Sequence, residues 1–299
     1  MAHPTATTKA QPVALGDLVA LTKPKITRLV VFTGAVGMWL APVGTLTPVK
    51  VIFTLLGTVL VVAAANALNM YLERDVDALM TRTADRPLPA GRLPASVGLG
   101  FGLGLALFSL PILSQAVNPT TALLGFLALV IYVGAYTPLK QKTWLAVIVG
   151  AVPGAIPPLM GWTAATGHLG APGVALFAIM FLWQIPHTLA ITLFRDAEYR
   201  RAGFQTLPVQ RGETVARWQT LAWSPLLVAS TLAPWWLGLV GLAYLATACV
   251  LGIGWMVLAV RVARERGAVK WARGLFIYSI IYLTLLFGVL LATAGHAKA

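Results

Sequence analysis

Long apolar runs, separated by short polar intervals, fill the chain from about residue 26 almost to its end. A helix that crosses a bilayer needs about 20 mostly apolar residues. Nine segments meet that requirement: 26–42, 49–72, 95–114, 120–137, 144–165, 172–194, 217–238, 240–260 and 272–293. The pattern predicts an all-α, polytopic membrane bundle. Pro111, Pro153, Pro157, Pro158, Pro186 and Pro225 fall inside these segments, where kinks are expected rather than breaks, since neighbouring helices can satisfy the freed carbonyls. Residues 1–16 are polar and rich in Thr, Ala and Pro. They predict a disordered tail with neither the apolar core of a cleavable signal nor an Arg-rich transit pattern. Residues 17–299 then form one membrane domain.

Composition agrees. Hydrophobic residues make up 58% of the 299 and charged residues 10%, against roughly a quarter charged in soluble domains. Mean hydropathy is +0.81. The one cysteine, Cys249, lies in an apolar run; it excludes an internal disulfide and a Cys-based metal cage and reads as a small buried hydrophobe.

The net charge of +13 changes the picture only once the bases are placed. Twenty of the 22 lie before or at the start of the first segment, or in and at the edges of the loops after the second, fourth, sixth and eighth; Lys50 and Lys298 fall on the other side. All nine acids share the basic side. The positive-inside rule puts that side, and the N-terminus, in the cytoplasm. The excess charge is an orientation signal, and no nucleic-acid partner is needed to explain it.

A faint repeat links the halves. "TKPKIT" (22–27) enters the first segment and "TPLKQKT" (137–143) precedes the fifth. At an offset of 119, Leu88-Pro89 falls on Leu207-Pro208, Arg92 on Arg211 and Asp77 on Asp196. Two four-helix halves plus a ninth helix are expected, with a site where the halves meet.

Four of the nine acids crowd into "NMYLERDVDALMTRTADRPLPAGR" (69–92). Asn69, Glu73 and Asp77 recur every four residues, so a helix places them on one face, which Asn66 extends. Such a row of oxygen donors suits a hard cation, and Mg²⁺ is commonly held by one or two carboxylates together with substrate phosphates. The alternative is a solvated helix end whose acids pair with nearby arginines. Arg82 and Arg86 follow around a Pro/Gly-rich turn; guanidinium forks match phosphate oxygens, although loop charge for orientation alone would look the same. A second cassette, residues 183–212, carries Asp196 and Glu198 beside Arg195 and Arg200. The two cassettes lie on one membrane face and suggest one metal–diphosphate site: Glu73, Asp77 and Asp196 toward the metal, Arg82, Arg86 and Arg195 toward the diphosphate. His187 sits inside a membrane segment; a buried ionisable group there is either functional or a neutral side chain bonded to a neighbouring helix. The chain has no GxxxxGK[ST] loop and no HExxH.

The first cassette resembles the acidic motif of the UbiA-type intramembrane prenyltransferases. Asn69, Glu73 and Asp77 stand on its first part, and Arg82, Thr83, Arg86 and Pro87 on its continuation. "YTPLK" (136–140), "GAVPGAIPPLMGWTAATG" (150–167), "WQIPH" (183–187), "FRDAEY" (194–199) and "LPV" (207–209) resemble the haem-modifying branch. The chain departs from the pattern at Glu73 and Glu198, where the carboxylate is kept, and at Thr188 and Ala146. The resemblance covers about residues 21–290. It implies a bacterial inner-membrane enzyme that moves a farnesyl group from farnesyl diphosphate to a vinyl group of haem B with Mg²⁺. Asn69, Glu73, Asp77, Asp196 and Glu198 would be catalytic, and the enzyme would lie upstream of a haem A synthase. His187, Lys140 and Lys142 are then expected to hold haem, the lysines through its propionates. Two rivals stand beside it: prenylation of an aromatic quinone precursor, and a secondary transporter. Carriers place ionisable groups near the bilayer midplane, whereas every acid here lies at one end.

Overall fold

The structure, a computed structural model, describes residues 13–265 and 268–294. Most of the tail expected at 1–16, along with Lys9, Arg266 and Lys298, lies outside them. The described chain is helical throughout, with no strand among these residues: α1 Leu15–Leu21, α2 Pro24–Trp39, α3 Pro48–Asp77, α4 Ala95–Ala116, α5 Pro119–Val130, a π-helical turn Ile131–Tyr136, α6 Thr137–Leu139, α7 Ala146–Thr166, α8 Ala171–Phe194, α9 Asp196–Arg201, α10 Leu207–Arg211, α11 Glu213–Ser230, α12 Ala233–Trp236, α13 Leu242–Arg264 and α14 Ala268–Thr293. Among the described residues, seven of these helical stretches are long and apolar enough to cross a membrane: α3, α4, α5 with its continuation to Leu139, α7, α8, α13 and α14. The chain is therefore a multi-pass membrane protein. The other two expected segments are the 16-residue α2 and the 18-residue α11, which ends at Ser230 before α12 resumes.

The helices run through their prolines. Pro111 lies inside α4, Pro153, Pro157 and Pro158 inside α7, Pro186 inside α8 and Pro225 inside α11. Helix α3 is the longest, 30 residues, started by Pro48 at its first turn and by Thr47, whose hydroxyl accepts from Lys50 N at 3.3 Å. Nothing inside it breaks the helix, so the row from Asn66 to Asp77 belongs to one rigid rod.

The cores do not divide as the repeat suggests, because α7 serves both. Its Ile156, Met160 and Ala164 pack with Val61, Leu68 and Leu113 of α3 and α4. Its Ala151, Ala155 and Trp162 join a larger core with α2, α8, α11, α13 and α14. Small residues let α2 meet α7 backbone to backbone: a Cβ on Gly37 would overlap the Pro158 carbonyl, and one on Gly161 the Gly34 carbonyl. Close approach of this kind is how helices associate where lipid removes the hydrophobic drive. Cys249 corrects the reading of its run: it is exposed on α13, while Ala248 and Leu251 beside it face inward. A segment meant for lipid is apolar on both faces, so hydrophobicity does not mark its inner side.

Candidate active site

The row at the end of α3 is buried, not solvated. Asn66, Asn69, Glu73 and Asp77 are 3, 2, 3 and 1% exposed, so the helix end is not solvated, although the pairing with a nearby arginine that the alternative expects is present at Asp77. Buried charge requires partners, and each acid has one. Glu73 Oε1 is in ion-pair contact with Lys140 Nζ just past α6, but takes no aligned hydrogen bond from any group. Its Oε2 accepts from Asn69 Nδ2 at 2.9 Å. Asp77 Oδ2 accepts from Arg86 Nη1 at 2.6 Å. Thr83 closes the loop between them, its hydroxyl donating to the Asp77 carbonyl at 2.7 Å.

Asn69 is the hub. Its Nδ2 also donates to Thr137 Oγ1 at 3.1 Å, and its Oδ1 accepts from Lys23 Nζ at 2.8 Å. In the sequence Lys23 stands out only as loop charge. It sits at the junction of α1 and α2 with φ 49°, the one non-glycine residue with positive φ among those described, a conformation that costs energy without a glycine. Asn66 Nδ2 ties the same junction to α3 through the Thr22 carbonyl, 3.1 Å away. Burial, with Arg86 and Lys140 nearby, pushes the Lys23 ammonium down to about 7. For Lys140 burial also works against the charge, but Tyr136, Glu73 and Tyr132 outweigh it and hold the group above its ordinary value.

The π-helical turn aims Lys140. Thr137 Oγ1 donates back to the Tyr132 carbonyl at 2.8 Å while receiving Asn69. The Lys140 ammonium lies 4.7 Å from the Tyr136 ring centre and 5.6 Å from that of Phe204.

The second cassette meets the first at this point. Gln205 N donates to the Lys140 carbonyl at 2.9 Å, and Tyr199, Ala202 and Phe204 pack against Val76 and Met80. Asp196 pairs with Arg200 at 2.6 Å and Glu198 with Arg195 at 3.1 Å. Asp196 Oδ1 is buried without a hydrogen-bond partner. The fold thus brings the cassettes to one pole, but Asp196 is committed to its own arginine. Among the described residues no three His, Cys, Asp or Glu side chains gather closely enough to hold a metal by themselves. Arg82 makes no ion pair among the described residues. Beside Lys140 opens a cavity of about 60 Å³, lined by Tyr136, Trp144, Val147, Tyr199, Phe204 and Thr192 among others. Ala146 and Thr188, the two positions of altered size, both line it.

His187 faces elsewhere, toward α14. Its Nδ1 lies 2.6 Å from Ser279 Oγ, and that hydroxyl donates to the Phe276 carbonyl at 2.6 Å. Which of the two donates depends on which imidazole nitrogen carries the proton. Trp183 stacks on the imidazole at 4.3 Å. The structure does not bring His187 to Lys140. Lys142 enters the network only through its backbone, its carbonyl accepting from Gln210 Nε2 at 3.2 Å.

Helices of bilayer length thus carry a buried carboxylate–cation network at one pole, at the edge of an apolar interior. The UbiA prenyltransferase family model matches residues 30–296, and the chain belongs to that family; it is a prenyltransferase. It is 50% identical to the protoheme IX farnesyltransferase of Myxococcus xanthus over 93% of this chain and 95% of that one. The fold is similar to that of a digeranylgeranylglyceryl phosphate synthase (TM-score 0.81, 16% identity, 95% of this chain and 99% of that). It is also similar to a UbiA homolog from Archaeoglobus fulgidus bound to GPP and Mg²⁺ (TM-score 0.64, 17% identity, 92% and 99%).

Proposed function

We propose that the chain transfers the farnesyl group of farnesyl diphosphate to a vinyl carbon of haem B, with addition of water, to make haem O. The observation that carries the chemistry is the buried Asn69–Glu73–Asp77 row faced by Lys23, Arg86 and Lys140. The choice of acceptor is supported by the half-identical farnesyltransferase relative that covers nearly the whole chain.

The donor set fits Mg²⁺: hard oxygens on one rod, one of them, Glu73 Oε1, held only by an ammonium that can be exchanged. Glu73 and Asp77 would hold the ion, with Asn69 beside them and Asp196 drawn in from the second cassette. Bound there, it would offset the charge that grows on the departing diphosphate. The protein's own part is an exchange of partners. Arg86 and Lys140 neutralise the acids in this structure, and with an ion held by the acids both cations and Lys23 would be free for phosphate oxygens. Arg82 and Arg195 add charge at the rim. The apolar bundle keeps water from the allylic cation until the new bond has formed. His187 offers an imidazole nitrogen to the haem iron; Lys140 and Lys142 at the rim suit its propionates, Lys140 only while it is not engaged by the diphosphate.

The bundle crosses the inner membrane of a bacterium nine times, with the acidic cassettes and the N-terminus in the cytoplasm. Residues 17–299 form the catalytic domain, and a haem A synthase takes the product. The test is expression in a bacterium lacking its own haem O-forming enzyme, followed by mass spectrometry of extracted haem. Haem O is the expected product; prenylated 4-hydroxybenzoate with no haem O would move the enzyme to quinone synthesis.

Two variants assign the ends of the site. Arg86→Ala should raise the KM for farnesyl diphosphate by about tenfold or more and leave that for haem near its starting value, since a charge-assisted phosphate bond is lost. A selective effect on haem would move Arg86 to the propionate end. His187→Ala should remove the shift in the haem absorption spectrum on binding, while a non-hydrolysable farnesyl diphosphate analogue still binds with Mg²⁺. An unchanged spectrum and full activity would leave His187 a helix-bonding residue.

A further inference from the structure

The Lys140 ammonium rests on two aromatic faces as well as on Glu73. It lies 4.7 Å from the Tyr136 ring centre and 5.6 Å from that of Phe204, inside the range in which a ring quadrupole attracts a cation. Both rings are held. An edge of the Tyr136 ring packs on α7, where Gly150 leaves it room: a Cβ there would come 2.5 Å from the ring. Phe204 is 3% exposed and set edge-on to Tyr199 at 5.8 Å. Tyr136, Tyr199 and Phe204 all line the cavity that opens beside Lys140. The place is therefore built to hold positive charge in apolar surroundings, and the lysine occupies it in the resting protein.

We propose that Tyr136 and Phe204 are catalytic residues whose ring faces stabilise the allylic cation in the position that Lys140 leaves when it turns to the diphosphate. The inference rests on the proposed reaction. In that reaction the C1–O bond of farnesyl diphosphate breaks, and both electrons leave with the diphosphate. Positive charge spreads over C1 and C3 of the prenyl chain. The vinyl π electrons of the acceptor then form the new C–C bond at C1, and the charge passes to the vinyl carbon beside the macrocycle. Water adds there and releases a proton to the solvent at the rim. The faces act between the first and second of these events. Because Lys140 moves to the leaving group as the cation forms, ammonium and carbocation do not compete for the rings.

The test keeps ring size and removes ring charge. Phe204→4-fluorophenylalanine, then the 3,5-difluoro and 3,4,5-trifluoro residues, would be introduced into the full chain in lipid nanodiscs, with the same series at Tyr136 starting from Tyr136→Phe. The single-turnover rate with farnesyl diphosphate and haem B should fall at each step, about tenfold across the series, while KM for the diphosphate stays within twofold. A flat series would overturn the proposal, because packing alone is indifferent to the quadrupole. Binding supplies the second arm. Tyr136→Leu should weaken a farnesyl analogue bearing an ammonium at C3 together with inorganic pyrophosphate at least fivefold, and leave farnesyl thiolodiphosphate, which is neutral at that carbon, unchanged. Equal weakening of both would reduce Tyr136 to a packing role. If the parent protein transfers nothing to haem, the proposed acceptor is wrong, and the ammonium analogue alone decides for or against the ring faces.

Discussion

Asp77→Asn should lower prenyl transfer by about 10²- to 10³-fold, the range seen when one preorganised charge-stabilising group is removed, in a protein that still inserts and keeps its unfolding temperature within a few degrees. The side chain is 1% exposed, and among the described residues Arg86 is the only ion-pair partner it has. Asparagine fills the same volume and can still accept from the guanidinium, so the fold is spared. What it lacks is the negative charge that would face the ion and release Arg86 to the diphosphate. The variant should therefore lose Mg²⁺-dependent binding of a farnesyl diphosphate analogue along with turnover, measured by calorimetry at matched protein amounts. Wild-type turnover would remove Asp77 from the metal site. Asp196→Asn should act in the same direction but less strongly, since Asp196 is paired with Arg200 and stands apart from the row.

Gly161→Val should prevent stable folding altogether. A Cβ at Gly161 overlaps the Gly34 carbonyl and comes within 2.9 Å of the Met38 amide nitrogen. Both obstacles are backbone, so no side chain can rotate away, and α2 must separate from α7. That separation also withdraws Lys23, at the head of α2, from Asn69. Overpacking a tight site costs about 1–3 kcal/mol when side chains can yield; here they cannot, and loss of most detergent-soluble, monodisperse protein is expected by size-exclusion chromatography. Normal yield and a normal melting temperature would mean that the helices do not cross as described.

The sequence revealed the rods more readily than their arrangement. Each expected segment finds a helix, because apolar length is a local property. The acidic row was legible for the same reason: a four-residue period on one helix needs no tertiary knowledge. Its burial was not legible, and neither was the identity of its partners. The sequence offers Lys140 as a propionate contact and Lys23 as orientation charge, yet both come to the row from distant parts of the chain. The echo of "TKPKIT" and "TPLKQKT" was the available clue, since the two lysines belong to corresponding stretches and end on either side of Asn69 and Glu73. Cys249 shows the limit from the other direction: lipid and core ask for the same residue types, so inward and outward faces of a membrane helix look alike in one sequence. Aromatic rings beside a lysine carry no sequence signature at all; Tyr136 and Phe204 meet only through the docking of α9 and its following loop on the end of α6.

The π-helical turn at Ile131–Tyr136 has a consequence for how the enzyme can tolerate insertion and deletion. A π turn is an α-helix that has absorbed an extra residue, so the helix beyond it keeps the facing it would have without that residue. Removing one residue inside Ile131–Tyr136 should therefore restore the regular winding and leave Thr137 on Asn69 and Lys140 on Glu73. The helix before the turn, which packs on α4 and α7, keeps its register too. A residue removed between Thr137 and Lys140 finds no such slack, and would turn Lys140 by about 100° off Glu73 and the two rings. The turn works like slack in a winding: it takes up one residue of length so that both sides stay aligned. Deletions a few residues apart should thus differ sharply in effect, although they would look alike in a hydropathy profile.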